Sequence, residues 1–195
     1  MFTGIITDLG SVRAITKRGD TRFQFNTSYN TTEIAIGASI SCSGVCLTVV
    51  EKGRNWFATD VSKETLSKTI LGNWVEGAPV NLERPLKASD ELGGHIVSGH
   101  VDGIGRIVSI EMVGDSLQVK IILPSELKRY IAPKGSVSAN GVSLTINETS
   151  GNEFAVNIIP HTQQVTTFGT SKIGDMVNLE IDVLSRYVAR LLEKD

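Results

Sequence analysis

The chain has 195 residues, with 19 Lys and Arg against 21 Asp and Glu and a formal net charge of −2. That balance leaves no basic face to follow a phosphate backbone, which argues against nucleic-acid binding. No apolar run approaches the ~18 residues of a spanning helix, and the opening MFTGIITDLG lacks the basic start and long apolar region of a signal peptide, so a soluble cytoplasmic protein is expected.

In chain order, SISCSGVCLTVVEKGRNWFATDV from residue 39 carries β-rich runs around the turn-forming EKGRN. Cys42, Gly44 and Cys46 are expected on one face of a single strand, without a compact knuckle turn. SKETLSKTILG then reads as a helix with Ser62 as its cap and Gly72 as its stop. The polar stretch ERPLKASDELGG over 83–94, interrupted by Pro85, marks a boundary. SLQVKIILP from 116 alternates as a further strand, and PSELKRYI begins with Pro124 placed to open a helical turn. VSLTINETSGNEFAVNI from 142 repeats the two β-rich runs around ETSGN. In the tail DVLSRYVARLLEKD, Asp182 caps a helix whose Val183, Tyr187, Ala189, Leu191 and Leu192 give it an apolar side. A helix outside the β structure needs a partner for that side.

The chain is also written twice. Positions 39–83 match 136–180 without a gap at an offset of 97, with 18 identities in 45 places. TGIITDLG from residue 3 resembles SGHVDGIG from residue 98 at an offset of 95. About six short strands in each half point to an all-β fold of two tandem, similar, six-stranded closed β-barrels with a C-terminal α-helix, since closure removes exposed edges. The expected divisions are 1–88, 89–184 and a tail over 185–195.

Position-by-position comparison of the halves shows which residues are kept and which differ. Cys46 faces Ser143, Thr48 faces Thr145, Lys63-Glu64-Thr65 faces Pro160-His161-Thr162, and His100 faces Ile5. Three chemistries are open to them. Cys42, Cys46, His95 and His100 could ligate zinc, but the C-x3-C spacing lies on the strand reading above and the second copy lacks both thiols. Cys46 and His100 could form an activated thiol pair if the fold brings them together, although no protease signature surrounds Cys46. A phosphate loop at GHVDGIG fails for want of a following lysine. Against these stand simpler roles: buried thiols, His95 as a hydrogen-bonding turn residue, Lys134 as a solvated turn residue, and threonines closing strand ends.

MFTGII, SGVCLTVV, SDELGGHIVSGHVDG, KGSVSANGVSLTI and IPHT together resemble the trimeric riboflavin synthase family, over essentially the whole chain. Ser43 departs from that family's pattern, where many members carry Asn, and Cys42 is an additional thiol. The resemblance implies a dismutation in which two molecules of 6,7-dimethyl-8-ribityllumazine exchange a four-carbon unit, giving riboflavin and a ribitylaminopyrimidinedione, with no metal or redox cofactor. It also implies a homotrimer held by the C-terminal helices, with active sites between subunits. For binding, it implies a first pocket of Gly4, Ile5 and Ile6, then Cys46, Leu47 and Thr48, then Asp60, Val61, Ser62, Lys63, Glu64 and Thr65. The second pocket would use Gly99, His100 and Val101, then Ser143, Leu144 and Thr145, then Asn157, Ile158, Ile159, Pro160, His161 and Thr162, with Lys134 reaching the ligand. Cys46, Ser143 or a bound water would add to one lumazine, His100 would carry a proton, and His95 would fix the turn. A non-catalytic, antenna-type protein that binds lumazine or flavin is the alternative.

Overall fold

The computed structural model describes residues 1–193; the last two residues of the expected tail lie outside them. Strands β1 (Asp8–Arg18), β2 (Asp20–Asn26), β3 (Ser39–Cys42), β4 (Val45–Gly53), β5 (Trp56–Val61) and β6 (Pro79–Glu83) close into a barrel in the order β1-β2-β5-β4-β3-β6. Strands β7 (Gly103–Val113), β8 (Ser116–Ile122), β9 (Ser136–Ala139), β10 (Val142–Ser150), β11 (Glu153–Ile158) and β12 (Met176–Ile181) close a second barrel with the same connectivity, every neighbour antiparallel. Even the bulges repeat. The ladder shifts at Val12/Ala14 and Val49/Glu51 in the first barrel, and at Ile107/Ser109 and Ile146/Glu148 in the second. Bulges add bend and twist, which a short strand needs to close a small barrel.

Alternation fills each interior. Val12, Phe23, Phe25, Ile40, Leu47, Val49, Phe57 and Leu82 are among the residues of the first core; Ile107, Val119, Ile121, Leu144, Ile146, Phe154 and Leu179 are among those of the second. Phe25 packs on Phe57 with ring centroids 5.2 Å apart, and Trp74 meets it edge-on at 5.9 Å. The second barrel puts Ile121 where the first has Phe25, so aliphatic side chains replace part of the aromatic cluster.

Two sequence expectations are corrected locally. Cys42 and Cys46 do not share one strand: Ser43 and Gly44, both at positive φ (45° and 84°), make the tight turn between β3 and β4. Asn140-Gly141 does the same between β9 and β10 at 48° and 80°, and Asn-Gly is the dipeptide that a two-residue hairpin of this kind favours. The helix opened by Ser62 is also shorter than expected. Ser62 does cap α1 (Lys63–Lys68), accepting from Thr65 N, but the helix stops before Thr69, whose φ of −133° is extended. The Thr69 side chain then caps a separate 3₁₀ turn, Ile70–Asn73. Its counterpart α2 (Pro160–Val165) starts on a proline, and PSELKRYI forms a 3₁₀ segment, Ser125–Tyr130.

The barrels meet around a local two-fold axis that the repeat generates. The turns at Gly44 and Gly141 lie back to back, so close that a Cβ on Gly44 would come within 2.8 Å of Gly141 N. Asn81 Nδ2 donates to Asn140 O (2.9 Å) and Thr167 Oγ1 (3.1 Å), while Asn178 Nδ2 donates to Ser43 O at 2.8 Å and Asn178 Oδ1 accepts from Ile70 N at 2.8 Å. Both asparagines are buried, and satisfying them across the interface fixes the orientation of the two barrels. Helix α3 (Val183–Leu192) leaves the second barrel capped by Asp182, which accepts from Leu184 N at 2.9 Å.

Candidate functional site

The segments that carry the N-terminal TGII and the glycine-rich SGHV motifs leave their own barrels. Phe2 pairs with Val97 in an antiparallel bridge, and from there each segment crosses to the other half. Gly4 O accepts from Ser143 N at 2.9 Å, and Gly99 O accepts from Cys46 N at 2.9 Å. Contact here is as tight as a backbone allows. A Cβ on Gly4 would lie 2.6 Å from Ser143 Cβ, and one on Gly99 would lie 2.6 Å from Cys46 Cβ. Both glycines also have positive φ, 78° and 81°. Ile6 is accordingly part of the second core, and Val101 packs on the first.

This regroups the residues expected to bind. The first barrel brings Cys46, Leu47 and Thr48 on β4 beside Asp60 and Val61 on β5 and the start of α1, with Ser62, Lys63, Glu64 and Thr65; the segment laid over them is Gly99, His100 and Val101. The second barrel brings Ser143, Leu144 and Thr145 together with Asn157, Ile158, Ile159 and the Pro160, His161 and Thr162 of α2; over them lie Gly4, Ile5 and Ile6. The covering segments were expected on their own barrels, and the structure exchanges them. Leu47, Val61, Leu144 and Ile158 point into the cores, whereas Thr48, Thr145, Asp60, Asn157 and His100 are exposed. Lys134 sits in the second barrel at a positive φ of 68°, its N–H held by Ile146 O at 2.7 Å and its side chain exposed.

Each crossing segment is tied down by one buried carboxylate. Glu83 Oε1 accepts from Thr3 N (2.7 Å) and Thr3 Oγ1 (2.8 Å), and its Oε2 accepts from Gly4 N at 3.0 Å. Glu180 does the same for Ser98 N and Oγ (both 2.6 Å) and Gly99 N (2.9 Å). An open cavity of about 500 Å³ borders the first of these anchors, lined in part by Thr3, Ile5, Tyr29 and Glu83 and by the connecting stretch from Arg84 onward.

The two cradles differ in their polar chemistry. Arg22 reaches Asp60 through two nitrogens, at 2.8 and 3.1 Å, and Glu51 at 2.9 Å, and its guanidinium holds the Asp60 carboxyl below the usual carboxylate range. The second barrel places neutral Gln118 opposite Asn157 at this position. At the Cys46/Ser143 pair the asymmetry is reversed. Ser143 Oγ lies 2.7 Å from His95 Nδ1, while Cys46 N donates to Gly99 O at 2.9 Å. His95 is 8% exposed, and its buried Nε2 has no hydrogen-bond partner among the described residues. Sequence reasoning assigns His95 to the turn and His100 to the Ser143 pocket. Instead His95 touches Ser143, and His100 lies with the segment over Cys46. A glycine-flanked histidine carries no local signal for a partner 48 residues away.

Burial lowers the pKa of His95 below its ordinary value, with the Asp182 carboxylate opposing. A base whose folded value is depressed contributes stability that is present above its ordinary pKa and lost as pH falls through the folded one. Thermal unfolding scans from pH 8 to pH 5 are therefore expected to show a destabilisation on acidification that His95→Gln diminishes. Identical pH slopes in the two proteins would remove His95 as its source.

The chain matches the lumazine binding domain family over residues 3–85 and again over 98–182. It is 48% identical to a riboflavin synthase of Brucella abortus (strain 2308) over 99% of this chain and 98% of that one. It is 37% identical to a riboflavin synthase of Bacillus subtilis (strain 168), over 100% of this chain and 91% of that one. Among solved structures it resembles LumP complexed with 6,7-dimethyl-8-(1′-D-ribityl)lumazine, with a TM-score of 0.82 at 25% identity over 93% of this chain and 99% of that one. LumP complexed with riboflavin matches equally well, with a TM-score of 0.82 at 27% identity over the same shares of both chains.

Proposed function

The chain belongs to the lumazine-binding domain family, and on that premise we propose that it catalyses the riboflavin synthase reaction. Two molecules of 6,7-dimethyl-8-ribityllumazine are the substrates. A four-carbon unit passes from one to the other, releasing riboflavin and 5-amino-6-(D-ribitylamino)uracil. One observation carries this reading: two cradles of the same backbone design, a glycine carbonyl on the β4 or β10 strand start, serve a reaction whose two substrates are the same compound.

In each cradle, backbone groups beside Thr48 or Thr145 read the edge of the ring system, and exposed polar side chains such as Asp60, Asn157 and Lys134 hold the ribityl hydroxyls. Cys46 and Ser143 stand at equivalent places as the candidate adding groups, and His100 as the proton carrier. His95, through its contact with Ser143, sets that hydroxyl's orientation. Because the ring delocalises the charge left when a lumazine loses a methyl proton, orientation supplies much of the rate. We further propose that the active protein is a homotrimer in the cytoplasm, with reacting pairs of cradles assembled between subunits.

Incubation with the lumazine, followed by riboflavin absorbance and fluorescence, tests the activity. Riboflavin should accumulate at one molecule per two lumazines consumed. Tight lumazine binding without turnover would overturn the enzymatic reading in favour of an antenna-type protein.

A further inference from the structure

The two buried carboxylates have a consequence for how the pockets are built. Glu83 belongs to β6 of the first barrel, yet the segment it holds covers Ser143 of the second. Glu180 belongs to β12 of the second barrel, and the segment it holds covers Cys46 of the first. We propose that Glu83 and Glu180 are positioning residues that act crosswise, each barrel's carboxylate setting the pocket of the other barrel. The inference rests on reading the two cradles as lumazine pockets.

The hydrogen-bond pattern suits an ionised acid at each place. Three donors converge on the two oxygens of Glu83, and three on those of Glu180. An ionised carboxylate accepts at both oxygens, whereas an amide would turn its NH2 toward a backbone N–H. The threonine and serine hydroxyls extend the chain one residue further, Thr3 Oγ1 accepting from Ile5 N at 3.3 Å and Ser98 Oγ from His100 N at 3.2 Å. Each carboxylate thus orders the stretch over the neighbouring pocket through its third residue. Glu83 and Glu180 are 4% and 3% exposed. Burial raises the pKa of both above the ordinary carboxylate value, against the pull of their hydrogen bonds. Such a group stabilises the fold less as pH rises through its folded pKa. Holding it charged is a cost to the barrel, and the ordered crossing segment is what that charge secures. The same construction twice in one chain, on opposite barrels, makes a packing accident a poor account.

Thiol chemistry reads each pocket separately in the full-length chain. Cys42 is fully buried, so Cys46 is the thiol within reach of a reagent. Glu180→Gln is expected to raise the rate of Cys46 modification by Ellman's reagent about tenfold, the equivalent of losing one charge-assisted hydrogen bond, and to abolish its protection by riboflavin. Glu83→Gln should leave both readings at their unsubstituted values. Moving the reporter with the double variant Cys46→Ser/Ser143→Cys should reverse the pattern. Because an amide buried against N–H donors can unfold a barrel, Ser98→Ala and Thr3→Ala, which keep the carboxylates, are measured alongside, with circular dichroism as the check on folding. They should reproduce the crossed pattern more weakly. A same-barrel pattern, or equal loosening of both pockets by either variant, would overturn the proposal. Absence of riboflavin protection in the unsubstituted chain would count against the lumazine reading alone, since the unliganded rates still decide the wiring.

Discussion

Gly99→Ala is expected to weaken ligand binding at the Cys46 cradle severely and to depress turnover with it, while the Ser143 cradle still binds. The new Cβ would stand 2.6 Å from Cys46 Cβ and 2.9 Å from Cys46 N, at a φ of +81° that L residues rarely adopt. Strain of that kind costs about 1–3 kcal/mol. Relief requires the segment to lift, which breaks the bond from Cys46 N to Gly99 O, worth about 1 kcal/mol more. A total near 3 kcal/mol corresponds to roughly 100-fold in affinity. Titration with riboflavin should show binding at one cradle retained and at the other lost. Gly114→Ala is the control, because Gly114 also has a positive φ, +61°, but nothing lies within 4 Å of its Cβ position. It should lose some stability and no binding. Equal affinities in the Gly99 variant and the unsubstituted protein would show that the crossing segment is not part of a pocket.

Deleting residues from Ser185 onward is expected to dissociate the proposed homotrimer and lower activity steeply, with both barrels still folded. Tyr187, Val188, Leu191 and Leu192 are 64%, 56%, 84% and 76% exposed in the single chain. Burying each against a neighbour would contribute on the order of 1.5–3 kcal/mol. Within its own chain two ion pairs tie the helix down: Arg186 with Asp102 at 2.5 Å, and Glu193 with Arg129. The last strand ends at Ile181, before the helix begins, so both barrels are expected to close without it. If the reacting cradles come from two subunits, activity should fall more steeply than protein concentration on dilution, while riboflavin still binds the separated chains. Sedimentation of the truncated chain beside an activity titration decides it. A truncated protein that keeps both its assembly and its full rate would refute this role for α3.

Much of this protein was legible in the sequence. Hydrophobic alternation with turn residues at regular spacing specifies short antiparallel strands, and an offset of 97 held over 45 residues specifies that whatever fold one half takes, the other takes too. The repeat also pointed to Cys46 and Ser143, because a duplicated chain exposes its own departures, and to Thr48 and Thr145, which both copies keep. The tail announced itself by a periodicity that no barrel strand shares. Short-range errors were of a different kind. Ser43-Gly44 hides a hairpin turn that Asn140-Gly141 displays, and Thr69 ends α1 because its side chain is better used capping the next turn.

The tertiary structure alone decided which segment covers which barrel. Sequence likeness between residues 3–10 and 98–105 is the same whether each segment lies on its own barrel or on the other, because the local two-fold axis makes the two arrangements equivalent in pattern. What separates them is long-range and steric. Gly4 packs on Ser143 and Gly99 on Cys46 so closely that a Cβ on either glycine would lie 2.6 Å from its neighbour's Cβ, and Glu83 and Glu180 secure the two segments. The same holds for His95, whose partner Ser143 becomes a neighbour only when the crossing is made. Periodicity records which side of a strand faces the core, and so it determined the two barrels. Contacts between segments of equal pattern leave no period behind, and so the exchange of covers between the pockets was settled only by the packed chain.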